Sequence, residues 1–254
     1  MSFKNKVVLV TGASSGIGAT TAIEFAKEGA NVAIVGRKED KLKKVSEQCA
    51  KVGPKPLVIK ADIGVDDEMK GVIDAVIDKF KRLDVLVNNA AIMKFASVLE
   101  GNILEAYDYT MNVNVRAYIH ATMLTAPHLI VTKGNIINIS SVAATALPAL
   151  PNYTPYHTSK AALNFFSRCT ARELASHGVR VNIVSPGPVV TDLLENAGVT
   201  DMSFEDLSGE MPLNRVSQPI EIANIILFLA SDKAVGITGS EYVADNGYLL
   251  KINK

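Results

Sequence analysis

Apolar residues in this chain come in short runs, and the runs recur at intervals that a helix can fill. Val7 to Val10, Val32 to Val35, Leu57 to Ile59, Val85 to Val87, Ile136 to Ile139, Val179 to Val184 and Tyr242 to Val243 are rich in β-branched residues. Bounded by Gly, Asn or Ser, such runs read as strands buried on both faces. Most segments between them carry helical periodicity. Strands alternating with helices imply βαβ units and a parallel sheet. About seven strands and six or more helices account for nearly all of the 254 residues. One α/β domain spanning 1–254 is therefore expected, with no internal repeat and no linker-like shift in composition.

The pattern also predicts where some helices start and stop. One runs roughly from Asn102 to Ile130, with Pro127 in its last turn. Another runs from about Tyr153 to His177 and closes at Gly178, a residue suited to a C-cap. Pro219 opens a third at its first turn. The stretch from Asp192 to Arg215 has no clear period; Gly198, Gly209 and Pro212 are scattered through it. A segment of that kind in a compact domain often works as a lid, so 192–215 is read as one.

Composition narrows the function classes. The chain carries 26 basic and 26 acidic residues, so its formal net charge is zero. This argues against a broad electrostatic grip on nucleic acid or an anionic membrane. Cys49 and Cys169 are too few for a disulfide framework and lack metal-ligand spacing, so no metal site and a reducing, cytoplasmic location are expected. The first ten residues fall far short of a signal peptide, and no apolar stretch approaches the roughly 20 residues of a membrane span.

The first strand leads directly into Thr11-Gly12-Ala13-Ser14-Ser15-Gly16-Ile17-Gly18 and then into a helical segment. A strand, a Gly-rich turn and a helix start, in that order, make a phosphate cradle. Gly12 permits the tight turn, Gly16 lets backbone approach a pyrophosphate, and Gly18 lets the helix pack closely on the strand. The helix start offers free N–H groups to an anion. The competing reading is a Gly-rich turn with no ligand. The second strand ends Val35-Gly36-Arg37-Lys38. A site for NAD usually has an acidic residue near this point for the ribose hydroxyls. Two cations stand here instead, and a guanidinium can grip a 2′-phosphate with two hydrogen bonds. The sequence thus favours NADP(H), with NAD(H) possible; alternatively Arg37 and Lys38 only cap a solvated loop.

Tyr156 and Lys160 stand at i and i+4, one turn apart on one helix face. A nearby ammonium favours the phenolate and is expected to lower the tyrosine pKa. Tyr156 then exchanges a proton with a carbonyl or alcohol oxygen. Ser141 follows the fifth strand, where α/β sites gather, and its hydroxyl can bond a substrate oxygen as charge develops. Ser140 should point to the other side of the strand. Asn114 lies mid-helix, where Asn has poor propensity; a buried amide there needs partners. Asn112 is expected on a different face.

Taken in order, Thr11 to Gly18, Asn88-Asn89-Ala90, Asn114, Ser141, Tyr156 with Lys160, and Pro186-Gly187 with Thr191 resemble the short-chain dehydrogenase/reductase family over the full length, in its compact single-domain subgroup. The resemblance implies a Rossmann-like, doubly wound parallel sheet with helices on both faces. It implies a tetrad of Asn114, Ser141, Tyr156 and Lys160, in which Asn supports a water in a proton relay, Ser polarises the substrate oxygen, Tyr is the acid/base, and Lys lowers its pKa and holds the nicotinamide ribose. It places Gly12, Ser14, Ser15, Gly16, Ile17 and Gly18 at the phosphates, and Arg37 and Lys38 at the 2′-phosphate. Asp62 and Ile63 go by the adenine, Asn89, Ala90 and Ala91 along the cofactor, and Pro186, Gly187, Val189 and Thr191 at the nicotinamide. A homotetramer is implied as well. Three positions depart from the family. Ser15 stands where some NADP-preferring relatives carry a base, so a 2′-phosphate would depend mainly on Arg37, with help from Ser14 and Lys38. Ala91 replaces a glycine, and Asp245-Asn246-Gly247 stands for Asp-Gly-Gly. Asn tolerates positive φ, so that turn can survive.

The substrate segments are Ile92 to Ala96, Val142 to Asn152 and Val189 to Met211. They carry Met93, Phe95, Leu147, Leu150, Val190, Leu193, Leu194, Met202, Phe204, Leu207 and Met211, with Lys94 the chief cation. Such a wall suits a small lipophilic alcohol or ketone, unless these residues are only lid packing. The expected activity is an NADP(H)-dependent oxidoreductase interconverting a carbonyl and an alcohol. The alternatives are an NAD(H)-dependent alcohol dehydrogenase of the same family and, more remotely, a dinucleotide-binding sensor or scaffold without turnover.

Overall fold

The computed structural model describes residues 3–148, 151–199, 201 and 203–250. Every apolar run forms a strand: β1 (Val7–Thr11), β2 (Asn31–Gly36), β3 (Leu57–Lys60), β4 (Val85–Asn88), β5 (Asn135–Ile139), β6 (Arg180–Pro186) and β7 (Glu241–Ala244). They pair in parallel in the order β3-β2-β1-β4-β5-β6-β7. The chain winds outward from β1 to β3, returns across β1, and winds the other way from β4. That reversal leaves a crevice beyond the carboxyl ends of β1 and β4, where ligands of such sheets bind.

The helices are α1 (Gly16–Lys27), α2 (Glu39–Val52), α3 (Asp66–Phe80), α4 (Ile103–Met111), α5 (Ala117–Thr132), α6 (Thr154–Leu174), α7 (Leu193–Asn196) and α8 (Pro219–Ala230). Strand alternation divides the core between them. Val8, Val10, Ile34, Val87 and Ile139 join α1, α2 and α8 on one side, while Val7, Leu9, Val35, Leu86 and Ile136 join α3, α5 and α6 on the other. Strands β1, β2, β4, β5 and β6 are buried along nearly their whole length. The expectation of burial on both faces fails at β3 and β7. These are the sheet's edges, beyond the full cover of the helices.

The long helix also differs from expectation. It continues through one π-helical turn, Asn112–Arg116, that joins α4 to α5. Pro127 lies inside α5 rather than in its last turn. The final turn persists because Leu129 is buried in the core and the Thr132 hydroxyl donates to the Leu83 carbonyl at 2.7 Å. Helix α6 ends through a short 3₁₀ turn at Gly178, whose φ of 76° is left-handed, and Pro219 occupies the first turn of α8 beside a Gln218/Glu221 capping box. Among its described residues the 192–215 segment carries only α7 and a 3₁₀ turn, Glu205–Glu210. Among the described residues no helix is long and apolar enough to cross a membrane.

Candidate active site

A cavity of about 990 Å³ follows the carboxyl ends of the strands, from the start of α1 past β2, β4 and β5 to the 192–215 segment. Its floor is knitted by the side chains of Thr11, at the end of β1, and Asn89, just after β4. The Thr11 hydroxyl accepts from the Asn89 and Ala90 N–H groups at 3.0 and 3.2 Å. The Asn89 amide donates to the Thr11 and Gly12 carbonyls at 2.9 and 3.2 Å. Glycine is needed in that knot. A Cβ on Gly12 would stand 2.6 Å from the Ala90 Cα, and one on Gly18 would stand 2.4 Å from both Gly12 O and the Asn89 amide nitrogen. Gly16 has a φ of +55°, and its Cβ would meet Thr191 at 2.9 Å. The demand at Gly16 therefore includes the approach of the 189–192 strap. Helix α1 starts with no side-chain cap at Ser15, so its first N–H groups are left for an anion in the cavity.

At the other end of the loop, Arg37 is held rather than free. Its guanidinium lies 3.6 Å from the Asp62 carboxylate and donates to the Tyr109 hydroxyl at 3.4 Å. Lys38 Nζ donates to Asn196 Oδ1 at 2.8 Å, and Lys41 is ion-paired with Asp192. Lys41, with the Ser15 hydroxyl and Lys38 nearby, holds the Asp192 carboxyl below its ordinary range. The first turn of the 192–215 segment is thus fastened to the rim of the phosphate loop.

The proton-handling groups converge deeper in. Tyr156 and Lys160 are both buried and line the cavity together with Ser141. Lys160 Nζ donates to the Ile139 carbonyl at 2.9 Å and lies 5.6 and 5.9 Å from the ring centroids of Tyr156 and Tyr118. The Ser141 hydroxyl accepts from the Ala143 N–H at 3.1 Å and faces the Tyr156 phenol. Ser140 turns away as alternation requires, its hydroxyl donating to the Lys160 carbonyl at 3.4 Å.

The expected lowering of the tyrosine is not what this geometry gives. Burial pushes the Tyr156 phenol up to about 12, against the pull of Ser141. Burial also brings Lys160 down to about 7. The ammonium's nearest partner is a backbone carbonyl, and desolvation outweighs attraction for both groups.

Asn114, in the π-helical turn, has both amide N–H groups engaged. Its Oδ1 accepts from Ile92 N–H at 2.9 Å, and its Nδ2 donates to the Ile92 carbonyl at 2.9 Å and to Ser159 Oγ at 3.1 Å. It braces the loop after β4 against α6. Asn112 serves another face, donating to the Gly64 carbonyl at 3.0 Å.

Of the expected cofactor residues, Gly12, Ser14 to Ile17, Arg37, Lys38, Asp62, Ile63, Asn89 to Ala91, Tyr156, Lys160, Pro186, Gly187, Val189 and Thr191 line the cavity; Gly18 lies behind it. Asn246 has a φ of 52°, so the altered Asp-Asn-Gly turn keeps its left-handed residue. Of the expected apolar wall, Met93, Leu147, Leu193, Phe204, Leu207 and Met211 line the cavity. Phe95 packs against Tyr153, with ring centroids 4.8 Å apart, and Leu194 is buried beneath. Leu150 and Met202 lie outside the described residues. Lys94 reaches over the Tyr109 ring at 5.8 Å instead of facing the wall.

Sequence reading missed several contributors. Tyr153 and His157 line the cavity beside Tyr156, and their i, i+4 spacing was the signal available. Tyr118 donates to the Ala90 carbonyl at 3.0 Å. A buried chain of amides, Asn88 to Asn138 at 2.9 Å and Asn138 to Ser167 at 2.8 Å, ties β4, β5 and α6 under the site.

The chain matches a family model described as enoyl-(acyl carrier protein) reductase over residues 12–249. It is 34% identical over 251 residues to the 3-oxoacyl-(acyl-carrier-protein) reductase FabG of Thermotoga maritima, covering 98% of this chain and 100% of that protein. It superposes with a TM-score of 0.92 and 37% identity on a short-chain dehydrogenase/reductase of unknown function from Caenorhabditis elegans with cofactor, covering 100% and 98% of the two chains. A short-chain dehydrogenase from Burkholderia cenocepacia in complex with NADP matches with a TM-score of 0.89 and 32% identity, over 98% and 100%.

Proposed function

Because this chain belongs to the short-chain dehydrogenase/reductase family, oxidoreductases that act on CH–OH groups with NAD(P), we propose that it is an NADP(H)-dependent enzyme interconverting a lipophilic ketone and its alcohol. One observation carries this reading. A phenol, a hydroxyl and a lysine face a single cavity whose other end is an uncapped helix start beside a guanidinium. The residues fit a nicotinamide dinucleotide, with donors at the phosphate end, an apolar bed of Ile17, Ile63 and Val189, and Lys160 at the far end. Bound there, the cofactor supplies or accepts the hydride.

Tyr156 holds its proton across the neutral range, since burial favours the uncharged phenol. It is therefore a donor to a substrate oxygen in reduction. Ser141 is in place to bond the same oxygen and to favour the phenolate that remains. Lys160, poised near neutrality, passes a proton toward Tyr156 or holds the ribose. Asn114 acts as a positioning residue through Ile92 and Ser159. Arg37, with Lys38 and Ser14, is the reader of the 2′-phosphate, and Asp62 and Tyr109 set its direction. The 192–215 segment serves as the lid of a single domain. Exposed apolar side chains on the long helix and α6, among them Leu104, Ile119, Met123 and Phe165, support a homotetramer.

A screen of aliphatic and aromatic ketones with NADPH and NADH side by side tests the reading. Turnover faster with NADPH is expected. Arg37→Ala should raise the NADPH dissociation constant about 10- to 100-fold, the loss of a charged bidentate contact, and leave NADH within about threefold. Equal losses for the two cofactors would assign Arg37 to the fold instead. NADPH binding without turnover of any ketone or alcohol would favour the sensor.

A further inference from the structure

We infer that His157 selects substrates carrying a hydrogen-bond donor beside the reacting carbonyl. The inference rests on the proposed reductase activity and deepens it.

His157 follows the proton donor directly and lines the same cavity. Its Nδ1 lies 3.0 Å from the Tyr153 carbonyl, one turn back on α6. A carbonyl only accepts, so Nδ1 carries the proton. Burial holds the imidazole below its ordinary range, which keeps the ring neutral at pH 7. A neutral ring protonated at Nδ1 has its lone pair at Nε2, a pure acceptor. Nε2 has no hydrogen-bond partner among the described residues.

The ring is also fixed in place. It meets Tyr153 edge-on at 6.3 Å and Tyr156 at 6.2 Å between centroids, and Phe95 backs Tyr153 at 4.8 Å. The acceptor and the Tyr156 phenol are thus held within the span of one small molecule. The wall around them is apolar: Met93 and Leu193 pack in one cluster with Tyr153 and Tyr156, and Met211 lines the same cavity. A single oriented acceptor in such a wall discriminates by what it leaves unpaired. A substrate with a hydroxyl or N–H two or three bonds from the carbonyl satisfies it, and one without that group desolvates it unpaid.

The test compares matched ketones with NADPH. The pairs are α-hydroxyacetophenone and its methyl ether, and a β-hydroxy ketone and its methyl ether. Wild type is expected to favour the hydroxy member by about tenfold in kcat/KM. His157→Phe, which keeps an aromatic ring, should bring that ratio close to one, and His157→Gln, which keeps an acceptor, should restore most of it. A ratio unchanged in His157→Phe overturns the inference. So does a wild type that reduces the ethers as well as the alcohols, and in that case the reductase reading stands. A wild type that reduces none of the four overturns both.

Discussion

Replacing Tyr156 with phenylalanine is expected to lower kcat for ketone reduction by about 10²- to 10⁴-fold, the range for removing a positioned general acid. The substitution deletes one oxygen and keeps a ring that is 7% exposed in the wild type. The fold should therefore persist, with the melting temperature close to that of wild type and NADPH binding retained. Neither Ser141 nor Lys160, the two groups beside the phenol, replaces the lost proton. Ser141 faces the phenol and its hydroxyl accepts from the Ala143 N–H, with no basic partner among the described residues, and the Lys160 Nζ is directed to the Ile139 carbonyl. Single-turnover loss of nicotinamide absorbance separates this from slow release. Wild-type rates in that experiment would remove Tyr156 from the chemistry.

Lys160→Met is expected to move activity and stability in opposite directions. An ordinary lysine titrates at 10.5, whereas burial brings Lys160 to about 7. Between those values the unfolded chain binds a proton that the folded protein does not, so stability rises with pH across that window. The penalty is fully present below about pH 7 and fully relieved above 10.5. It amounts to about 5 kcal/mol. Methionine fits a similar volume without the charge. It also leaves the Ile139 carbonyl without this donor, which costs roughly 1–3 kcal/mol. A net gain on the order of 2 kcal/mol at pH 7 should follow, together with loss of nearly all turnover. Urea unfolding from pH 7 to 10 measures both the gain and the missing slope. A variant less stable than wild type that keeps the wild-type slope would show that another group causes it. Tyr156, pushed up from 10 to about 12, acts with the opposite sign and only above the range tested.

Strand positions were legible because a parallel sheet buries its central strands on both faces, and continuous β-branched runs leave little choice. Where a strand lies at an edge the same run overstates burial, as at Leu57–Lys60. The phosphate loop was legible because glycine is costly except where space or φ demands it: Gly12 has the φ of +65° of a tight turn, and a Cβ on Gly18 would stand 2.4 Å from Gly12 O, although the crowding by Asn89 and Ala90 was not legible. Tyr156, Lys160 and Ser141 were brought together by spacing and strand-end position alone. What spacing could not give was solvation. The phenol shift has the wrong sign in the sequence reading because a pattern shows a neighbour's charge but not the water removed from both groups. Long-range polar partners were equally hidden. The hold of Asp62 and Tyr109 on Arg37, or of Asn196 on Lys38, joins residues far apart in the chain and leaves no periodic trace.

The π-helical turn at Asn112–Arg116 sets the two halves of the long helix out of phase. A wider turn takes up one residue more than an α-turn, and one residue is about 100° of rotation about the axis. Before the slip, Tyr109 is aimed at Arg37; after it, Tyr118 is aimed at the Ala90 carbonyl. The first contact lies at the Arg37 rim of the cavity, the second in its floor beside the phosphate loop. Removing a single residue between them would leave the sheet untouched and turn one half of the rod against the other. Either Tyr109 or Tyr118 would then face the wrong way, so the count of residues in this helix, more than their identity, keeps the rim and the floor of the site in step.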